Sequence, residues 1–339
     1  MKVSKMTHQM NLHAAPFENI ARGIKTIELR LYDEKRRRIA VGDEIVFTHS
    51  QDAARTLRCR VVALHIFSSF EELYNTLPLL KCGYTEEDIA TASPDDMSLY
   101  YTKEQQAASG VVGIEIQLIK RLCIFDLDGT VLDTAPSIAH YGNLALKAHG
   151  IEPIDEKEYQ YFAGDGAKIL IRRMLEYRSC YSDALHASVF KIYNELYNAD
   201  VTCKTVIFDD LKEVLDLLKN DGYRFAIVSN KPDFAAKTVA NALYGEGYFD
   251  CIVGQKEGSA LKPDPREVLA VMQELGTEPK DCVYVGDTDT DMKTGKNAGL
   301  YTIGVLWGFR KRKELETNGA DAIVETPKEL YDVILKQIQ

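Results

Sequence analysis

The chain has 339 residues, longer than a typical domain of about 100–200, which predicts two or three folded units. Its 45% apolar and 27% charged residues exclude a disordered or fibrous chain and provide for a sizeable core. With 41 basic against 51 acidic residues the formal charge is −10, so the molecule as a whole has no electrostatic bias toward polyanions.

From the N-terminus, PFENIARG predicts a helix over 15–22 that stops at Gly23. Short apolar runs at 24–31, 43–49, 57–67 and 110–119, several alternating with period two, predict half-buried strands. Ser69 is placed to cap a helix over 69–77. If the first run is extended, Lys25, Ile27 and Leu29 share one face, and Thr26, Glu28 and Arg30 line the other. The dense basic run Lys35-Arg36-Arg37-Arg38, diluted by Asp33 and Glu34, reads as a solvated turn or as a contact for nucleic-acid phosphates. Residues 1–119 thus predict a small mixed sheet or barrel with two or three short helices.

The pattern changes near residue 120. Strand candidates at 121–126, 224–229, 250–254, 281–285, 301–305 and 321–324 alternate with helical patterns near 209–220, 233–243, 264–275, 289–298, 311–317 and 327–337. That alternation predicts an α/β unit over 120–339, a mostly parallel sheet with helices on both faces. The stretch from about 136 to 203 has helical spacing and no comparable strand run. It predicts a helical cap inserted just past a strand end, where open sheets bind ligands.

Seven widely spaced cysteines with no CxxC pair argue against a disulfide scaffold and a Cys-rich zinc site. They suit free thiols in a reducing cytosol. No apolar run approaches the roughly 18 residues of a membrane span, and the opening lacks a signal-peptide core. A soluble cytoplasmic protein without membrane association is expected.

The strongest local signal is Leu122-Cys123-Ile124-Phe125-Asp126-Leu127-Asp128-Gly129-Thr130, a buried strand ending in two carboxylates. A second acidic set, Asp287, Asp289 and Asp291, follows the apolar run 283–285. Parallel strands bring their carboxyl ends together, so Asp126, Asp128, Asp287 and Asp291 are expected to converge. Charges so placed repel one another, and a hard, oxygen-liganded cation of the Mg²⁺ class compensates them. Two further strand ends present Ser229-Asn230-Lys231 and Lys262-Pro263-Asp264-Pro265. Hydroxyl and ammonium donors beside a metal suit the oxygens of a phosphoryl group. Within the cap, Gly164 and Gly166 permit a tight loop toward that site, and Lys168 or Arg172 is then placed to meet an anionic leaving group.

The ordered set FDLDGTV (125–131), Ser229-Asn230, LKPDP (261–265) and GDTDTD (286–291) resembles the haloacid dehalogenase-like hydrolase superfamily over residues 121–339. The resemblance implies a Rossmann-like hydrolase core and an aspartyl-phosphate mechanism. In it Asp126 is the nucleophile and Asp128 the acid and base, while Ser229, Asn230 and Lys262 bind phosphate. It further implies Mg²⁺ held by Asp126, Asp287 and the backbone carbonyl of Asp128, with Asp291 ordering the metal shell. The small helical cap and the KPDP turn resemble the phosphoglycolate phosphatase group. A small anionic ester such as 2-phosphoglycolate is therefore the expected substrate. Pyrophosphate, nucleoside monophosphates and sugar phosphates, or a phosphomutase reaction, are the alternatives within the superfamily. A nucleic-acid-associated binding protein whose phosphatase unit is secondary is the alternative outside it.

The pieces GxKTIExR (23–30) and VGDEIVF (41–47), with SFEELYNTLP (69–78) and the run 100–116, resemble the ASCH domain, which is related to PUA-type RNA-binding modules. The resemblance covers roughly 1–119 and implies a ligand cleft at Lys25, Glu28 and Arg30 that receives RNA or a nucleoside. Members that hydrolyse acetylated cytidine have Thr where this chain has Glu28, so the hydroxyl that such an amidase needs is missing.

Overall fold

The computed structural model describes residues 6–338. The chain divides between Ile119 and Lys120 into two compact units.

The described residues of the first unit form strands β1 (Thr7–Leu12), β2 (Ile27–Leu31), β3 (Glu44–His49), β4 (Asp52–Phe67) and β5 (Val111–Leu118). They make one mixed sheet in the order β1-β3-β4-β5-β2, in which only the β1–β3 pair is parallel. Side chains alternate across a strand, so the sheet buries two faces. Ile45, Phe47, Val112, Ile114 and Ile116 pack with Phe17 and Ile20 of the helix Ala14–Ala21. Ile27, Leu29 and Val111 pack with Phe70 and Leu73 of the helix Phe70–Thr76, whose first turn is capped by Ser69 accepting from the Glu72 amide.

Two boundaries differ from the sequence expectation. Strand β1 was not expected; it adds as an edge beside β3, tied there by Asp43. Strand β2 begins at Ile27, because Lys25 is still held in the preceding turn, its amide donating to the Asn19 carbonyl at 3.0 Å. The alternation that set Lys25 on the face opposite Glu28 and Arg30 therefore does not apply to it.

The second unit has β6 (Leu122–Phe125), β7 (Leu132–Asp133), β8 (Val206–Ile207), β9 (Arg224–Pro232), β10 (Cys251–Gln255), β11 (Cys282–Gly286), β12 (Tyr301–Val305) and β13 (Ala322–Val324). Six of these form a parallel sheet in the order β10-β9-β6-β11-β12-β13. Period-two alternation sends Cys123, Phe125, Phe225 and Ile227 to one face, against Leu215 and Leu218 of the helix Leu211–Asn220 and Leu330 of the helix Pro327–Gln337. Leu122, Ile124, Ala226 and Tyr284 go to the other, against Val268 and Met272 of the helix Arg266–Leu275. This is the expected α/β core with helices on both faces.

The insertion also takes the expected form. Helices Ala135–Lys147, Tyr159–Phe162, Ala167–Tyr177 and Asp183–Ala199 leave and rejoin the core through the antiparallel pair β7–β8. Among the described residues no helix is long and apolar enough to cross a membrane. All seven cysteines are free.

Candidate active site

The central strand β6 lies between β9 and β11, with Phe125 level with Ile227 on one side and Val285 on the other. The residues that follow β6 and β11 therefore leave the sheet at one level, while Ser229, Asn230 and Lys231 lie in the last residues of β9. Asp126 continues β6 by one step, its amide donating to the Val285 carbonyl at 2.9 Å. The chain then turns at Gly129, which has φ +83°, and any Cβ there would overlap the Asp287 carboxylate. Thr130 Oγ1 donates to Asp287 Oδ1 at 2.8 Å, and the Phe309 amide donates to Oδ2 at 2.7 Å.

Asp291 opens the helix Asp289–Asn297 in a capping box, its Oδ2 accepting from the Thr288 amide at 3.0 Å and the Thr288 hydroxyl at 2.7 Å. Lys262 Nζ lies 2.7 Å from both Asp126 Oδ1 and Asp291 Oδ1. Asn230 holds that lysine's turn: Oδ1 accepts from the Lys262 amide at 2.8 Å, and Nδ2 donates to the Lys262 and Gly164 carbonyls. The Asn230 side chain is thus engaged with backbone rather than left open to a phosphate.

Carboxylate oxygens of Asp126, Asp287 and Asp291, all buried, lie within 4.8 Å of one another. Burial, then the charge of Asp291, pushes the Asp126 carboxyl above the usual carboxylate range against the pull of Lys262. Burial and the charges of Asp291 and Asp126 push Asp287 well up in the same way. Lys262 stays charged: burial opposes its charge, but Asp126 and Asp291 more than reverse that. Three buried carboxylates against one ammonium leave surplus negative charge, and the donors are all oxygen. The set fits a hard divalent cation.

Asp128 does not join this group through its side chain. Lys231 Nζ donates to Asp128 Oδ1 at 2.8 Å, and the Lys231 ammonium lies 4.8 Å over the Tyr197 ring. Burial opposes the lysine's charge, but Asp128 leads the groups that hold it above the ordinary lysine range. The sequence placed the Lys231 ammonium among the donors for phosphoryl oxygens; the structure pairs it with Asp128.

Asp126, Asp128, Ser229 and Lys231 line one cavity of about 50 Å³, which the cap closes with Gly164, Gly166 and Tyr197. The structure does not bring Lys168 or Arg172 into it. The helix Ala167–Tyr177 turns Ala167 and Leu170 toward the cavity, so positions 168 and 172, four apart, share its outer face. There the Lys168 ammonium lies 6.0 Å over the Phe190 ring, and Arg172 pairs with Glu176 at 2.7 Å. A cation of the core that the sequence did not mark meets the cap instead. Arg310, buried, donates to the Gln160 and Ala163 carbonyls, and Thr290 Oγ1 donates to Asp165 Oδ1 at 2.8 Å, so the cap loop is held down.

The first unit has a cavity of its own, about 510 Å³. Lys25, Glu28 and Arg30 all line it, with Glu28 between Arg30 at 2.8 Å and Lys25 at 3.4 Å. The chain of Tyr74 and Tyr84 hydroxyls 2.6 Å apart, with Tyr84 donating to Asp96 at 3.0 Å, forms part of the wall, as do Tyr100 and Tyr101. Tyr74, Tyr100 and Tyr101 lie in segments that carry the ASCH resemblance, which gave them no role, and Tyr84 lies outside them. In the basic run, Arg36 pairs with Asp33 at 2.7 Å, and Arg37 lies over the Tyr32 ring and donates to the Tyr32 carbonyl.

A profile of the haloacid dehalogenase-like hydrolase family matches residues 123–305, and one of the ASCH domain matches residues 10–120. A protein named phosphoglycolate phosphatase from Aquifex aeolicus is 32% identical over 214 residues, spanning 63% of this chain and 96% of its own length. A protein of the same name from Colwellia psychrerythraea is 29% identical over 215 residues, spanning 62% and 95%. Among solved structures, that of a candidate phosphoglycolate phosphatase from Lactobacillus delbrueckii subsp. bulgaricus is 29% identical with a TM-score of 0.60, covering 63% of this chain and 98% of that one.

Proposed function

Because the chain belongs to the haloacid dehalogenase-like hydrolase family and is a phosphatase, we propose that it hydrolyses a small anionic phosphate monoester, such as 2-phosphoglycolate, with Mg²⁺ and an aspartyl-phosphate intermediate. The observation that carries this reading is the separation of two carboxylates within one cavity. Asp126 belongs to the acidic group around Lys262, while Asp128 is turned to Lys231.

In this mechanism an Asp126 oxygen attacks phosphorus, the bond to the leaving oxygen breaks, and Asp128 delivers a proton to that oxygen. Asp128 then takes a proton from water as the water attacks the aspartyl-phosphate, which releases inorganic phosphate and restores Asp126. Ser229 and Lys262 position the phosphoryl oxygens, and Asn230 keeps Lys262 in place. Asp126, Asp287 and the backbone carbonyl of Asp128 would hold Mg²⁺, with Asp291 ordering its surroundings. When bound, the cation supplies charge neutralisation and polarises the phosphoryl oxygens.

The volume of this cavity supports a small substrate. One water needs roughly 10–15 Å³ of such space, so about 50 Å³ suits a leaving group of a few atoms. The names of the similar proteins point the same way, and the free thiols support a cytoplasmic setting. Assaying the purified protein against a panel of phosphate esters tests the reading. Turnover is expected with Mg²⁺, lost with chelator, and fastest in kcat/KM for 2-phosphoglycolate. Turnover equal to the metal-free control on every ester overturns it, and a preference for pyrophosphate, sugar phosphates or nucleotides overturns the substrate.

For the first unit we infer an RNA segment or nucleoside as ligand. Four tyrosines and the paired cations Lys25 and Arg30 line the 510 Å³ cavity, a combination suited to stacking an unpaired base and contacting its polar edge.

A further inference from the structure

We propose that Lys231, together with the Tyr197 hydroxyl, reads the second anionic group of the substrate, the one carried by the leaving fragment. The proposal rests on the reading of the substrate as a small anionic ester, and it assigns the specificity to the end of β9 and the last cap helix.

Lys231 is the one basic side chain among the described residues that line the catalytic cavity. The other cations near the cap are engaged elsewhere. Lys262 lies between Asp126 and Asp291, Arg173 is paired with Asp165, and Arg310 is held by cap carbonyls and Glu314. An ammonium has three donors, and Asp128 takes one of those on Lys231.

A second observation concerns the ring beside the lysine. Tyr197 is 4% exposed and lines the cavity, and its hydroxyl lies beside the Lys231 ammonium and the Ser137 side chain without an ideally formed hydrogen bond to either. A buried hydroxyl held only by imperfect contacts keeps hydrogen-bonding capacity for a ligand. Position completes the argument. Asp128 is the group that protonates the leaving oxygen, so Lys231 sits on the leaving-group side of the phosphorus. One hydrogen bond from Lys231 to Asp128 and one from Asp128 to that oxygen would set the nitrogen roughly 5–6 Å from it, which is the reach of a carboxylate one carbon away. In glycolate the carboxylate is one carbon away.

The test compares 2-phosphoglycolate with ethyl phosphate, which has a leaving group of similar size and no second charge, in the full chain and in Lys231→Met and Tyr197→Phe. The wild type is expected to favour phosphoglycolate. In Lys231→Met the ratio of the two kcat/KM values should fall roughly tenfold or more, and in Tyr197→Phe several-fold, beyond any loss common to both esters. Calorimetric binding of the two esters in an Asp126→Asn background should show the same selective weakening without turnover. Tyr197→Phe keeps the Lys231–Asp128 pair and carries the test if Lys231→Met misfolds. Equal losses on both esters, with the wild-type preference intact, overturn the proposal and leave Lys231 as a positioning residue for Asp128. A wild type that shows no preference for phosphoglycolate overturns the substrate reading and this inference with it.

Discussion

Asp126 and Asp128 are two positions apart, yet their carboxylates face different lysines, Lys262 at 2.7 Å and Lys231 at 2.8 Å. Leu127 between them is fully buried, so the turn cannot let both side chains swing to one partner. This separation gives each carboxylate its own test. Asp126→Asn lacks the attacking oxygen and should form no acid-stable labelled protein in rapid-quench experiments with labelled ester. Asp128→Asn keeps the attack but loses proton transfer, and its kcat should fall roughly 10²-fold or more. Near-wild-type labelling of Asp126→Asn would move the nucleophile to Asp128.

Strand β1 shows how one side chain secures an element. Asp43, buried at the start of β3, accepts from the Met6 amide at 3.0 Å and the Ala40 amide at 3.0 Å, and bonds His8 Nε2 at 2.9 Å. Burial works against the Asp43 charge, but His8 and these amides outweigh it and hold its carboxyl below the usual range. A carboxylate depressed in the folded state stabilises fully above its unfolded pKa of about 4, and that contribution is lost as pH falls through the lower folded value. Asp43→Asn should therefore destabilise the β1 edge by about 1–3 kcal/mol at pH 7 and by much less at pH 3. Amide exchange of β1 at the two pH values reads this directly, and an equal difference at both would count against it.

At the scale of the molecule, every residue proposed for phosphate release lies in the second unit, and the first keeps a separate polar cavity. Phosphate release and the ligand binding proposed for the first unit are therefore separable by ligand. Titrating the full chain with structured RNA, single strands and modified nucleosides should show saturable binding to at least one, weakened roughly tenfold by Arg30→Ala, since a guanidinium that contacts a polar ligand edge contributes charge-assisted hydrogen bonds. Absence of saturable binding to all three would remove the nucleic-acid reading of this unit.

Read alone, the amino-acid order determined the α/β core, because buried strands and helices leave apolar periods that need only local neighbours. It also placed the polar residues at strand ends, because parallel strands finish on one side. It did not determine which way those residues turn. Lys168 and Arg172 follow the phase of a helix set by its start at Gly166, and that phase depends on packing against the cap. Lys25 joins Glu28 because a turn, not a strand, carries it. Strand β1 depends on Asp43, 35 residues from His8, and the Lys231–Asp128 pair joins positions 103 apart. Such contacts leave no local period. Only the tertiary structure decided them, because close packing sets each side chain's direction from neighbours distant in the chain.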